Sequence, residues 1–281
     1  MIRVRLKFSK HGPIRFVGHL DLMRYFQKVM RRAGVDIAYS EGYSPHQLMS
    51  FALPLPTGAT SDGEYVDLTL QSFRDIRLHA DEESDGCIGE TRDALLRVTG
   101  RMNDVMREGI RVTDACILPE GAAKAMTAVS ACRWRITFHE EDAAGARALE
   151  LIRAAGGTDG ALSRFLSRKE IRVLKKTKKS ERELDLRPLI YEACAPDDGA
   201  VSVLLKAGSE DNVKPVLFVA AWLASLTDGG ESVQDLEQSL SSTLQLHREE
   251  TCLTKRLPEG DVLLPLISQD GINGFPLKNA V

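Results

Sequence analysis

Within the first 118 residues, the spacing of apolar residues switches between the strand period and the helix period in a definite order. This order restricts the fold classes that the segment can adopt. Segments with a strand or helix period lie at residues 2–8, 19–33, 35–38, 64–70, 91–108 and 110–118. Their apolar residues recur at alternate positions in the strands and at helical spacing in residues 19–33 and 91–108. The predicted order is therefore strand, helix, strand, strand, helix, strand, which is the split βαβ or ferredoxin-like arrangement.

The second half of the chain repeats this theme. Strand-like alternation recurs at residues 132–138, 171–177, 182–186 and 200–206, and helical segments at 141–155 and 213–226. We expect an α+β protein with two ferredoxin-like domains at residues 1–120 and 130–228, followed by a C-terminal extension at 229–281. Each domain would have an antiparallel sheet with its helices on one face. The other face would be free, as in RNA-recognition modules of similar topology.

The helix predicted over residues 19–33 is amphipathic and basic. One face carries the apolar residues Leu22, Met23, Phe26, Val29, Met30 and Ala33. The other carries the cationic residues Arg24, Lys28, Arg31 and Arg32. Although the net charge of the chain is −3, a local cationic stripe of this kind suits contacts with phosphates. A solvated charged face would have the same pattern.

A long loop is predicted over residues 39–62, where Gly and Pro restrict or redirect the backbone. Loops of this length in compact domains are usually functional or disordered, and the aromatic content argues against disorder. Tyr39, Tyr43, His46 and Phe51 are flat groups on which RNA bases can stack. The alternative is a structured loop that closes one end of a core.

His19 is the one candidate catalytic residue, and three roles stay open for it. It begins the basic helix on the side of the apolar face. A histidine there can be structural, can act as a general acid or base or phosphate contact, or can bind a metal ion.

A second basic cluster lies between the strands predicted at 171–177 and 182–186. Its members are Lys175, Lys176, Lys178 and Lys179. Clustered lysines neutralise phosphates without reading sequence, although a solvated turn would also carry them.

Several classes of site are not indicated by the sequence. The five cysteines form no CxxC pair, which suggests free thiols in a reducing cytoplasm. The carboxylates Asp62, Glu64 and Asp67 lack the spacing of a calcium loop. No phosphate-binding glycine loop or dinucleotide fingerprint is present, and no apolar run is long enough for a membrane span. We therefore expect no metal and no cofactor, a cytoplasmic location, and no membrane partner.

Three stretches resemble a known bacterial family. The runs RFVGHLDLMRYFQKVMRRAG and YSEGYSPHQLMSFALPLPTGATSDGEYVDL, with ELDLRPLI at 183–190, are similar to the uncharacterised radical SAM-linked family. Its members are encoded beside, or fused to, a radical SAM protein. The resemblance implies a radical SAM protein as partner and an accessory role, because this chain lacks the CxxxCxxC cluster motif of those enzymes. The layout also resembles CRISPR RNA endoribonucleases with tandem ferredoxin-like domains, in which His19 would match one catalytic pattern.

Three functions follow as hypotheses. The first is an RNA-binding accessory protein, for tRNA or rRNA, that serves a radical SAM modification enzyme and has no chemistry of its own. The second is a metal-independent endoribonuclease with His19 as base and Tyr43 or Lys28 assisting. The third is a protein-interaction subunit of a radical SAM enzyme that makes no RNA contact.

Overall fold

The computed structural model divides the chain into two compact units. It describes residues 1–73, 86–176, 181–209, 211–227, 229–258, 260–268 and 275–276, with the side chains of 86–92, 175–176 and 275–276 excepted. Unit 1 comprises Met1–Val129 and Leu264–Asn273, and unit 2 comprises Ser130–Leu263 and Gly274–Val281. Among the described residues, no helix combines the length and the apolar character that crossing a bilayer would need.

Unit 1 alternates strands and helices as its hydrophobic periods predict. Its elements are β1 (Ile2–Lys10), α1 (His19–Arg32), β2 (Met49–Phe51), β3 (Thr60–Leu70), α2 (Gly86–Val105), β4 (Ile110–Ile117) and α3 (Ala125–Ala128). The strands lie in the order β4-β1-β3-β2, and each neighbouring pair is antiparallel. The second strand of the sequence thus lies at the side of β3, away from β1.

The register of β1 and β3 puts apolar side chains on one face and charged ones on the other. Val4 lies opposite Leu68 and Leu6 opposite Val66, and these side chains are buried with the apolar residues of α1 and α2. Three phenylalanine rings lie at the centre of this core, with centroids 4.9 to 6.0 Å apart: Phe8, Phe26 and Phe51. Burying one such side chain stabilises the fold by roughly 1.5–3 kcal/mol. The alternating apolar residues of both strands therefore face the helices.

The opposite face of this sheet is not free, in contrast to the expectation from sequence. Arg5, Tyr65 and Asp67 point to that face, yet they are only 3, 1 and 6% exposed. Residues 122–125 cover part of it, because the carbonyl of Ala123 and the amide of Ala125 hydrogen-bond to Arg5 and Asp67. A buried guanidinium and carboxylate attract polar backbone groups of the following segment, since unsatisfied buried polar groups are costly.

Unit 2 has more elements than unit 1. They are β5 (Val129–Phe138), α4 (Ala143–Ala154), α5 (Gly157–Leu166), β6 (Arg172–Lys176), β7 (Glu181–Asp185), β8 (Ile190–Asp197), β9 (Ala200–Lys206), α6 (Pro215–Ala224), α7 (Val233–Leu240), β10 (Leu244–Leu257), β11 (Gly260–Pro265) and β12 (Phe275–Pro276). Its strands lie in the order β10-β5-β9-β8, while β6 and β7 form a separate pair. Strand β11 pairs with β10 and with β12.

Helix α6 forms much of the core of unit 2. Its sequence, PVLFVAAWLA, is apolar all round, and such a helix is normally buried on every side. Trp222 and Phe218 are fully buried, and the ring of Phe218 packs edge-on against Phe165 of α5 with centroids 5.9 Å apart. Pro215 occupies the first turn, where its missing N–H has no partner within the helix.

The mixture of helices and antiparallel strands agrees with the predicted α+β class, but four details differ from the sequence reading. Strand β2 interrupts the segment expected to be one loop. Residues 35–38 form only an isolated bridge, between Ile37 and Leu70. Helix α5 and strand β8 lie in segments for which neither a helix nor a strand was predicted. Strand β10 lies within residues 229–281, which were expected to be an extension.

Candidate functional site

Helix α1 presents the predicted basic stripe to solvent. Gly18 precedes the helix in an extended conformation, and Asp21 lies in the first turn, where its charge suits the helix dipole. The cationic side chains Arg24, Lys28, Arg31 and Arg32 are all exposed. Arg24 pairs with Asp21 across 3.0 Å. Three cations of the stripe therefore have no ion pair within the described residues.

The aromatic loop next to this helix is a small ordered hairpin, residues 39–47. Tyr39 and Gln47 form an antiparallel bridge at its base. The Ser40 hydroxyl lies 2.8 Å from Nδ1 of His46 and accepts the His46 amide at 3.1 Å. Tyr43, at the turn, is fully exposed, and Tyr39 is about half exposed (47%). The polar bonds at the base of the hairpin hold it in place, and the rings of Tyr39 and Tyr43 are exposed to solvent on it.

Gln47 connects the hairpin to the basic helix. Its side chain is buried, and its amide nitrogen donates to the carbonyl of Gln27 at 3.4 Å and to the Tyr39 hydroxyl at 3.3 Å. Gln27 precedes Lys28 in α1. The predicted phosphate-binding and base-stacking residues of unit 1 are therefore brought together.

The other predicted cluster belongs to unit 2. Strands β6 and β7 pair, with Lys175 opposite Arg182 and Lys176 opposite Glu181, so the expected hairpin exists. Lys178 and Lys179, and the side chains of Lys175 and Lys176, lie outside the described residues.

His19 has the surroundings of a structural residue. Its ring meets Phe51 edge to face, with centroids 5.5 Å apart, and the side chain is half-buried. Among the residues that the structure describes, no three His, Cys, Asp or Glu side chains lie close enough together to hold a metal ion. Of the three acidic residues considered as ligands from sequence, Asp67 is bound to Arg5 and Asp62 to His11.

A pocket of about 470 Å³ opens on the sheet face opposite the helices of unit 1. Arg3, Thr69 and Asp67 form its floor, together with Ser50 of β2. Leu48, Met49, His46 and Lys124 complete the lining. The hairpin therefore reaches this pocket through His46 and reaches α1 through Gln47.

A buried ion pair lies beside this pocket. Asp67 accepts Nε of Arg5 at 2.7 Å and Nη2 at 3.0 Å, and it also accepts the Ala125 amide at 2.7 Å. The remaining Nη1 of Arg5 donates to the Leu266 carbonyl at 3.3 Å. Arg3 lies 3.8 Å from the same carboxylate and donates to the Ala122 carbonyl at 2.6 Å. The negative charge of Asp67 is thus fully compensated by Arg5, which leaves the pocket positive.

A second, larger groove of about 1040 Å³ lies at the turn between β1 and α1. His11 lines it and pairs with Asp62, with Nε2 2.7 Å from Oδ1. Its amide donates to the Gly109 carbonyl at 2.7 Å. Arg107 and Arg111 also line this groove.

The buried side chain of Lys10 stabilises the turn between β1 and α1. Its ammonium donates to the carbonyls of Val17 at 2.8 Å and Arg15 at 3.2 Å. Burial lowers the pKa of Lys10 below its ordinary value, and the nearby charge of Glu64 opposes this shift in part. The turn that leads into α1 is therefore held by a buried cation.

Sequence reasoning did not identify the pocket residues Arg3, Ser50, Thr69 and Lys124. The alternation of β1 and β3 placed Arg3 and Thr69 on the outward faces, but only the register shows that they lie opposite each other. Lys124 lies in a segment whose sequence suggests a linker or a short helix, and it directly precedes the short helix α3. Nothing local indicates that this segment covers the sheet.

Comparisons with known proteins place the chain in a family without naming an activity. A search of curated proteins found no match. A family model described as "Uncharacterized protein conserved in bacteria (DUF2344)" matches residues 3–83 and 90–215. These ranges contain α1, the hairpin and every residue that lines the pocket. The match confirms the expectation of an uncharacterised bacterial family, and the chain belongs to this family of proteins conserved in bacteria.

Proposed function

We propose that this protein binds RNA through α1 and the hairpin of residues 39–47, as an accessory protein of a radical SAM enzyme that modifies tRNA or rRNA. The observation that carries the proposal is the hydrogen bond from Gln47 to α1, which holds exposed aromatic rings beside exposed cations. Single-stranded RNA is usually bound by such a combination, because cations neutralise phosphates while flat rings stack on bases.

The fold supports the proposal. The strands of unit 1 lie in the order β4-β1-β3-β2 and those of unit 2 in the order β10-β5-β9-β8. Counted along each unit, the strands take the same places in both orders, which supports a split βαβ arrangement in each. We infer two such domains, related by duplication. RNA-recognition modules of this topology bind RNA on the open sheet face. Here residues 122–125 cover part of that face in unit 1, so binding would shift to α1 and the hairpin.

The partner is inferred from the resemblance to the radical SAM-linked family. A partner that supplies the radical chemistry would need a subunit that holds the RNA, which is the role assigned here. A cytoplasmic location follows from this role.

Salt-dependent binding of a fluorescein-labelled single-stranded RNA tests the proposal. Replacing a lysine that contacts phosphate reduces the slope of log K against log salt by roughly 0.7 for a single strand. We expect this change for Lys28→Gln. Lys255→Gln, an equivalent change at an exposed lysine of unit 2, should leave both the slope and the affinity unaltered.

Tyr43→Ser separates stacking from charge in the same assay. Loss of one stacked ring costs about 1–3 kcal/mol, so we expect an affinity roughly tenfold lower at every salt concentration, with the slope unchanged. Binding that is absent or independent of salt would reject the proposal. RNA that is shortened during incubation would instead indicate an endoribonuclease, and a radical SAM protein that co-purifies without RNA would indicate an interaction subunit.

A further inference from the structure

The pocket beside the hairpin has the properties of an anion site. Arg3 and Lys124 are positive, and the single carboxylate in the lining, Asp67, is compensated by Arg5. Two hydroxyl groups, of Ser50 and Thr69, add neutral donors. Phosphate is held in proteins by this combination of cations and hydroxyl donors.

The side chain of Arg3, at the floor of the pocket, is held in place in the absence of a ligand. Arg3 donates to the Ala122 carbonyl, and its second nitrogen lies 3.8 Å from Asp67. These contacts reduce the conformational entropy that the side chain would lose on binding a ligand. Lys124 is exposed at the rim and has no hydrogen bond or ion pair from its ammonium within the described residues.

His46 connects this pocket to the hairpin. Its Nδ1 is held by the Ser40 hydroxyl, so Nε2 is the ring nitrogen that can meet a ligand. Leu48 supplies an apolar wall. A volume of about 470 Å³ lies within the usual range for small-molecule sites and is large enough for a ribose, a base and one phosphate.

We propose that this pocket binds one nucleotide through its phosphate, with the base against Leu48. The proposal rests on the proposed function in one respect, because RNA that follows α1 and the hairpin would supply that nucleotide. The ligand chemistry is a nucleoside monophosphate unit, whether it belongs to an RNA strand or is free in solution.

Calorimetric titration of the full chain with adenosine and uridine monophosphates tests the site. We expect the monophosphates to bind, and the corresponding nucleosides and inorganic phosphate to bind at least tenfold more weakly. Lys124→Gln removes one charge-assisted contact and should weaken monophosphate binding about tenfold. Lys124→Arg should restore most of it, and Lys255→Gln, an equivalent change at an exposed lysine of unit 2, should have no effect. Thermal unfolding of each variant confirms that it is folded.

The result that overturns the inference is a dissociation constant weaker than about 1 mM for the monophosphates, or equal binding by wild type and Lys124→Gln. The two proposals fail separately. If RNA binds with the expected salt dependence and Lys124→Gln changes nothing, only the pocket assignment is wrong. If monophosphates bind through Lys124 but RNA does not bind, the pocket stands as a site for free nucleotides and the RNA proposal is wrong.

Discussion

The first strands of the two units carry the same pattern and use it differently. Strand β1 places Arg3 and Arg5 at alternate positions, and β5 places Arg133 and Arg135 in the same way. Arg5 is buried and bound twice to Asp67. Arg135 is instead only partly buried, and the side chains of Arg135 and its partner Asp197 are 41% and 64% exposed. An alternating strand therefore fixes which face a charge occupies, while the segment that covers the face decides whether the charge is buried.

The segments inserted into the two units also differ, although they occupy the same place in the chain order. In each unit, additional residues lie between the first helix and the second strand of the sheet. Unit 1 has the hairpin of residues 39–47 there, and unit 2 has α5 and the β6–β7 pair. Two of the three segments that the sequence indicated as RNA contacts thus occur at this position, and the third is helix α1. Two units with a similar order of elements can differ in function through one connection, because loops tolerate insertion better than core strands.

The largest expected difference in stability between the two units is found by removing one carboxylate from each. Asp67→Asn leaves the Arg5 guanidinium buried without a countercharge, and breaking such a pair costs about 3–5 kcal/mol. Asp197→Asn breaks an exposed pair, which contributes about 0–1 kcal/mol. The free energy of unfolding in urea measures both.

A second substitution shows whether the loss comes from the unpaired charge. Arg5→Met in the Asp67→Asn background removes the charge and should recover part of the lost stability. Equal losses for Asp67→Asn and Asp197→Asn would contradict the difference in burial on which the comparison depends.

A smaller difference in stability is expected between alanine substitutions at two glycines that have the same φ angle. Gly109 in unit 1 and Gly156 in unit 2 both have φ of +91°, so alanine is strained at either position. A Cβ at Gly109 would lie 2.5 Å from the His11 carbonyl oxygen, whereas a Cβ at Gly156 would meet nothing within 4 Å. We expect Gly109→Ala to cost on the order of 2 kcal/mol more than Gly156→Ala.

Thermal unfolding of the two glycine variants provides the measurement. Because the dihedral strain is common to both, the difference isolates the clash with the turn that carries His11. Indistinguishable midpoints would mean that this turn shifts easily, and the groove beside it would then not be a fixed feature.

The parts of the fold that could be predicted are those with a strong local period. Strand β1, helix α1 and strand β3 follow from the spacing of residues such as Val4, Phe26 and Leu68, and the core of unit 1 follows from them. Strand β8 was missed because its sequence, IYEACAPD, contains a proline and no sustained alternation. Its place in the sheet depends on pairing with β9, which is a non-local interaction.

The candidate site could be predicted only in part, for a similar reason. The exposed cations of α1 and the rings of Tyr39 and Tyr43 follow from amphipathicity and composition. The pocket does not, because Arg3 and Lys124 are more than a hundred residues apart in sequence. The covering of the sheet by residues 122–125 depends on buried charge, and composition alone carries no information on which segment will satisfy it.

The smallest effect concerns the alkaline pH dependence of stability, which should have opposite signs in the two units. Burial lowers the pKa of Lys10 in unit 1 below 10.5. As pH rises from the folded-state pKa to 10.5, the unfolded chain holds a proton that the folded chain has released, so stability increases. Burial raises the pKa of Tyr191 in unit 2 above 10.0. Above pH 10.0 the folded chain keeps a proton that the unfolded chain loses, so stability decreases.

Unfolding in urea from about pH 8 to about pH 11, for wild type, Lys10→Met and Tyr191→Phe, measures these two slopes. The free energy of unfolding of wild type, relative to that of Lys10→Met, should increase with pH until 10.5. Lys10→Met also loses the hydrogen bonds to the Arg15 and Val17 carbonyls, but this loss does not change the slope with pH. Relative to that of Tyr191→Phe, the free energy of unfolding of wild type should decrease above pH 10.0. Parallel curves for Lys10→Met and wild type would mean that water reaches this ammonium. The turn between β1 and α1 would then be open.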